Sequence, residues 1–187
     1  NTNVFETINI NDLTFNSYPK ITSNGFYNNY EFIIKNANTD AQNSGNYKNK
    51  ESHYLSGLLQ LNSSLPLVKE NDDYQNILNP KIALKISPDF TKNKQDSFTR
   101  LDVNNIFGLN RLASGESLEG GMSLTFGNEF KKINKKDLRE NLVLKLANNI
   151  RLKDNSDLPT TNQMGLKTSN LFGEIAYDPN EFFTTKY

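Results

Sequence analysis

The chain has 187 residues, enough for one ordinary domain. Its 21 basic residues balance 21 acidic ones, so it lacks the basic excess of a nucleic-acid footprint and nothing forces it to expand as a disordered polyelectrolyte. With no cysteine it has neither disulfides nor thiolate metal sites; no run of about 18 apolar residues marks a transmembrane helix.

From the N-terminus onward the dominant signal is alternation with period two, which sends successive side chains to opposite faces of a strand. A first strand is expected over residues 7–15. Tyr30, Phe32 and Ile34 alternate with Glu31, Ile33 and Lys35. Residues 53–65 form a third candidate. In a fourth, Ile82, Leu84 and Ile86 alternate with Lys81, Ala83 and Lys85. The clearest case is Met122, Leu124 and Phe126 against Ser123, Thr125 and Gly127, just after Gly120-Gly121, a turn or bulge signal. Leu142, Leu144 and Leu146 oppose Val143, Lys145 and Ala147, although 138–150 taken alone also fits a helix. Ile175 and Tyr177 oppose Glu174 and Ala176, and the last strand is expected at 184–187. No segment carries a comparable helical stripe, so the fold class is all-β, an antiparallel meander of about 7–9 strands.

Between the strands lie polar, turn-rich segments at 36–50, 68–76, 87–100 and 152–162, with tighter turns at 23–25 and 134–137. Pro66, Pro80, Pro88 and Pro159 are expected at strand edges or in loops, where the missing donor does no harm. Mixed long and short connections between strands of about ten residues match outer-membrane barrels. A hydrophobic fraction of only 35% points the same way: a two-sheet sandwich must fill a shared core, whereas a barrel with a wet lumen turns its apolar face to lipid. Phe26, Tyr27, Tyr54, Phe130, Tyr177, Phe182 and Phe183 are the candidates for aromatic belts, since Trp is absent.

The segment 102–127, DVNNIFGLNRLASGESLEGGMSLTFG, resembles the barrel of the lipopolysaccharide-assembly protein family LptD (OstA). That family carries L-F-x-x-N-R-F-x-G-x-D-x-x-E-x-G at the end of a long loop, followed by a strand. Ile106-Phe107, Asn110-Arg111, Gly115, Glu119 and Gly121 sit close to it. Leu112 replaces the aromatic, an extra residue precedes Gly115, and Glu116-Ser117 stands where an acidic-basic pair is usual. Ser64-Leu65-Pro66-Leu67 with Leu78-Asn79-Pro80, and DLPTTNQMGLKTSNLFG at 157–173, are similar to further family segments of alphaproteobacterial type.

The resemblance implies a C-terminal piece of a barrel of about 26 strands in the cell outer membrane. Residues 1–187 would form one segment of it, truncated at both ends. Such a translocon inserts lipopolysaccharide into the outer leaflet, encloses an LptE-type lipoprotein plug, and meets the periplasmic Lpt bridge through a domain lying outside this chain. It is not an enzyme and takes no cofactor. The residues carrying this expectation are Phe107, Asn110, Arg111, Gly115, Glu119 and Gly121 in the loop and turn, and Met122, Leu124 and Phe126 facing lipid. Ser123 and Thr125 would face the lumen, where a substituted Arg is mild. A general or substrate-specific porin, or a soluble β-sandwich for adhesion or carbohydrate binding, remains open.

Chemistry elsewhere is sparse. His53 is the only histidine. The acidic stretches 70–73 and 154–157 read as solvated turns or as weak cation sites. Lys131, Lys132, Lys135 and Lys136 read as a solvated turn or as an attraction for anionic head groups. Arg111 is either an exposed loop cation or an anchor that pins the loop inward. As part of a larger barrel, the chain should be an open sheet whose first and last strands do not meet.

Overall fold

The computed structural model describes residues 3–92, 94–95, 99, 101–112, 114–159, 163–180 and 182–187. Ten strands form one antiparallel sheet: β1 (Phe5–Asn16), β2 (Lys20–Ile21), β3 (Tyr27–Gln42), β4 (Ser52–Ser64), β5 (Leu67–Glu70), β6 (Tyr74–Ser87), β7 (Gly121–Asn134), β8 (Glu140–Arg151), β9 (Phe172–Asn180) and β10 (Phe183–Lys186). Their order is β1-β3-β4-β6-β7-β8-β9-β10, with β2 on β3 and β5 on β6. Among the described residues the sheet does not close: β1 pairs only with β3, and β10 only with β9.

Beneath the ten labels lie eight hairpin arms. Ser64 pairs with Lys81 and Leu67 with Leu78, so β4 and β5 run in one register along β6. Leu65-Pro66 interrupts that arm opposite Asn79-Pro80. Pro80 therefore lies inside β6, not at a strand edge as its sequence suggests. Its carbonyl accepts from the Leu65 amide at 3.1 Å, so its missing N–H would point at the same interruption, where no ladder acceptor is lost.

Two further expectations are corrected. The polar run 36–50 is strand as far as Gln42, and 68–76 is the tip of the β5–β6 hairpin. Both were hidden because apolar alternation fades there. Ala37, Thr39 and Ala41 are buried on one face of β3, but Asn36, Asn38 and Asp40 occupy the other. The ambiguous 138–150 is β8, a strand flanked by β7 and β9.

The connections sort by end. Reading strand directions along the meander, the loops 43–51, 88–120 and 152–171 all fall at one end of the sheet. The connections 22–26, 71–73, 135–139 and 181–182 fall at the other. The two longest loops fold back over one face and make their own small cores. Leu101, Leu112, Leu158 and Met164 cluster against Phe172, and Ile33, Leu58 and Leu118 cluster against Leu109.

The covered face is polar and the open face apolar, the reverse of a soluble half-buried sheet. Lys35, Gln60, Lys85, Ser123, Thr125, Asn149 and Arg151 are buried under the loops. Cross-strand rows such as Phe15–Phe32–Leu59–Ile86–Met122 and Leu61–Leu84–Leu124–Ile150 line the open face. Along β6 this apolar face runs from Leu78 to Ile86, about 27 Å at ~3.4 Å per residue. That is comparable to the ~25 Å band of an outer-membrane barrel. Asn128 and Asn148 interrupt it, and the Asn148 amide donates to the Ser169 and Asn170 carbonyls at 3.0 and 3.2 Å.

Candidate functional site

The long loop is fastened to the sheet by side chains that reach up from the covered face. Its carbonyls find no ladder, and each buried one needs a donor. Lys35 on β3 donates to the Gly115 carbonyl at 2.7 Å and pairs with Asp12 on β1. Gln60 on β4 donates to the Phe107 carbonyl at 2.7 Å, and Lys85 on β6 to the Gly108 carbonyl at 2.9 Å. Tyr54 is wholly buried rather than part of an aromatic belt. Its hydroxyl accepts from the Leu118 amide at 3.0 Å and donates to the Phe90 carbonyl at 3.4 Å.

At the centre lies Glu119, with a side chain 1% exposed. Arg111 Nε donates to Oε2 at 2.8 Å, and its Nη2 reaches Oε1. Arg151, at the end of β8, donates to Oε1 at 2.7 Å, and Lys85 donates to Oε2 at 3.2 Å. One carboxylate thus holds three cations from a loop and two strands. Burial opposes its ionisation, but Arg111, Lys85 and Arg151 outweigh that and hold it well below the usual carboxylate range. Arg111 also reaches Ser123 at 3.3 Å and Asn149 at 3.4 Å, so it is an inward anchor and not an exposed loop cation.

The motif residues do not all converge. Asn110 stitches the loop to itself, accepting from the Glu119 amide at 3.2 Å and donating to the Ser117 carbonyl at 3.3 Å. Gly121 has φ +88°, and a Cβ there would lie 2.8 Å from Arg151 Nη2, so the turn into β7 needs glycine. Phe107 lies over Gly127, whose own Cβ would stand 3.0 Å from the ring. Gly115 sits apart, near β1 and β3. Met122 and Phe126 are exposed on the open face and Leu124 is half-buried there, while Ser123 and Thr125 are 2% exposed beneath the loop rather than lining free water.

Sequence reasoning missed Lys35, Lys85 and Arg151, although each occupies an inward position of its strand. A charge at such a position is the signal that was available.

Beyond the Glu119 clamp, towards the short turns, the same face carries an ion-pair ladder, which the long loop touches at Asn104: its side chain accepts from Lys145 at 2.9 Å and donates to Glu174 at 3.3 Å. Lys81 pairs with Glu129 at 2.7 Å, Lys145 with Glu174 at 2.9 Å, and Glu174 with Lys186 at 2.9 Å. The four turn-end lysines are also engaged. Lys131 pairs with Glu140, Lys135 with Glu70 and Lys136 with Asp73, while Lys132 lies 4.1 Å from the Tyr74 ring centre. His53 meets Asn38 at 2.9 Å, and among the described residues no three acidic or histidine side chains group as a metal site. Thr160, Thr161 and Asn162 of the resembling segment 157–173, and Ala113 of the segment 102–127, lie outside the described residues.

The family profile described as LPS transport system D, LptD, matches residues 27–187. The chain belongs to the LptD family. No curated protein sequence matches it. The LptD family acts in lipopolysaccharide transport and assembly, with lipopolysaccharide as its substrate, and is a family of outer-membrane proteins. The match covers β3 to β10 and includes the whole Glu119 clamp.

Proposed function

We propose that this chain is one segment of the LptD transmembrane barrel, from its C-terminal region and of alphaproteobacterial type, and that the barrel inserts lipopolysaccharide into the outer leaflet. The observation that carries this reading is the inverted sheet: an uncovered apolar face about 27 Å long, backed by a face of ion pairs and a folded-in loop. A spanning sheet must satisfy its backbone by closure, so β1 and β10 would each continue into further strands. The long loops lie on the outside of the cell and the short turns in the periplasm. Met122, Leu124 and Phe126 face lipid, and Phe107, Asn110, Arg111, Gly115, Glu119 and Gly121 shape the loop that lies in the lumen. The lumen also takes an LptE-type lipoprotein plug, and a domain outside this chain meets the periplasmic bridge. The ladder of Lys81, Glu129, Lys145 and Glu174 is a wall suited to sugars and phosphates in transit.

A photo-crosslinking amino acid placed at Glu129 or Lys145 in the full-length protein in cells tests this. Capture of lipopolysaccharide from those inward positions, and not from Lys69 on a short-turn hairpin, is expected. No capture from any inward position favours a porin-like channel instead.

A further inference from the structure

The loop 43–51 and the long loop 88–120 leave a cleft of about 730 Å³ at the long-loop end, separate from the Glu119 clamp. Its lining holds four ammonium groups, Lys48, Lys50, Lys92 and Lys94, against one carboxylate, Glu116. That carboxylate is already engaged: it accepts from the Tyr47 hydroxyl and stands 4.0 Å from Lys94. Among the described residues, Lys48 and Lys50 have no acidic partner. Lys92 lies 5.6 Å from the Tyr54 ring centre, and burial holds its ammonium below the usual lysine range despite Glu116. The chain as a whole is neutral, so a local excess of three positive charges in a concavity is a deliberate concentration of field.

We infer that this cleft is a binding site for a phosphoryl-bearing anion. Compact, rotatable ammonium groups suit phosphate as point charges, and a multiply charged phosphoryl group matches the excess better than a single carboxylate. On the reading proposed above, the ligand at this end is the phosphorylated head group of lipopolysaccharide; free phosphate is the other source of the same chemistry.

The test uses the full-length protein in detergent and three probes: inorganic pyrophosphate, lipopolysaccharide, and the same lipopolysaccharide dephosphorylated. The variant is Lys48→Gln/Lys50→Gln; both side chains are exposed and remote from the clamp. Each lysine is worth about fivefold. The double variant is therefore expected to weaken pyrophosphate and intact lipopolysaccharide by about 25-fold, leaving the dephosphorylated form unchanged. Weakened pyrophosphate with unchanged lipopolysaccharide keeps the phosphoryl site and excludes the lipid as its source. Unchanged binding of both overturns the site. Pyrophosphate binding that depends on these lysines in a protein that captures no lipopolysaccharide from Glu129 or Lys145 separates failure of the transport reading from failure of this one.

Discussion

Replacing Glu119 with Gln removes the one negative charge that Arg111, Lys85 and Arg151 share while keeping its shape. Both side chains of the Arg111–Glu119 pair are 1% exposed, so water does not compensate. Breaking a buried pair by neutralising one partner costs about 3–5 kcal/mol. Because the strands pair independently of the clamp, the cost falls on the loop, whose opening equilibrium should rise by about 100-fold or more. Trypsin cleavage after Lys92 and Lys94 in the full-length protein in detergent reads that population when opening is fast relative to cleavage. Glu129→Gln, which breaks only the ladder below, serves as the control and should leave cleavage unchanged. The Glu119 carboxyl lies below its ordinary pKa when folded, so its stabilisation is complete above about pH 4.3 and is lost only as pH falls through the depressed value. Wild-type cleavage at an acid-tolerant protease site should stay flat down to about pH 4.3 and rise beneath it, whereas Glu119→Gln should lack that rise. Cleavage of Glu119→Gln within twofold of wild type would refute the clamp.

Four further outcomes are expected. Gly121→Ala should destabilise the protein by about 1–3 kcal/mol in urea titration, because φ +88° and Arg151 Nη2 both resist a Cβ; a neutral result would contradict the turn geometry. If the open apolar face meets lipid as proposed, Leu124→Arg should cost about 2–4 kcal/mol in the same titration. Ser123→Arg should also be damaging and not mild, since it replaces a hydroxyl that lies 3.3 Å from Arg111 with a second cation in a closed space; a well-folded Ser123→Arg protein would show that the loop does not close there. Hydrogen bonding to Glu116 pushes the Tyr47 hydroxyl up to about 12, with desolvation adding to it. An ultraviolet difference titration should therefore show one tyrosine ionising near 12 that disappears in Tyr47→Phe and returns towards 10.0 in Glu116→Gln.

The strands were legible wherever one face is apolar. Met122–Phe126 and Ile82–Ile86 declare themselves because apolar open-face positions and loop-facing positions alternate strictly. Residues 36–42 did not, since both faces of that stretch carry small or polar side chains and pairing with β1 and β4 is a long-range fact. Half of the clamp was visible, because Arg111 and Glu119 fall in one resembling segment. Lys85 and Arg151 were not, because only the folded loop brings them within 3.2 and 2.7 Å of Glu119. Tyr54 misled because it stands near a strand end; belt aromatics face outward, whereas Tyr54 shares the inward face with Leu58 and Gln60.

The central claim is that the uncovered apolar face meets hydrocarbon. Nitroxide labels at Leu84, Leu124 and Phe126, and at Lys81, Glu129 and Lys145, in the full-length protein reconstituted in bilayers test it most directly. The first three should be relaxed by dissolved oxygen and shielded from a water-soluble nickel chelate, and the second three should show the opposite. Nickel access at Leu84, Leu124 and Phe126 equal to that at Glu129 would contradict the membrane-spanning account.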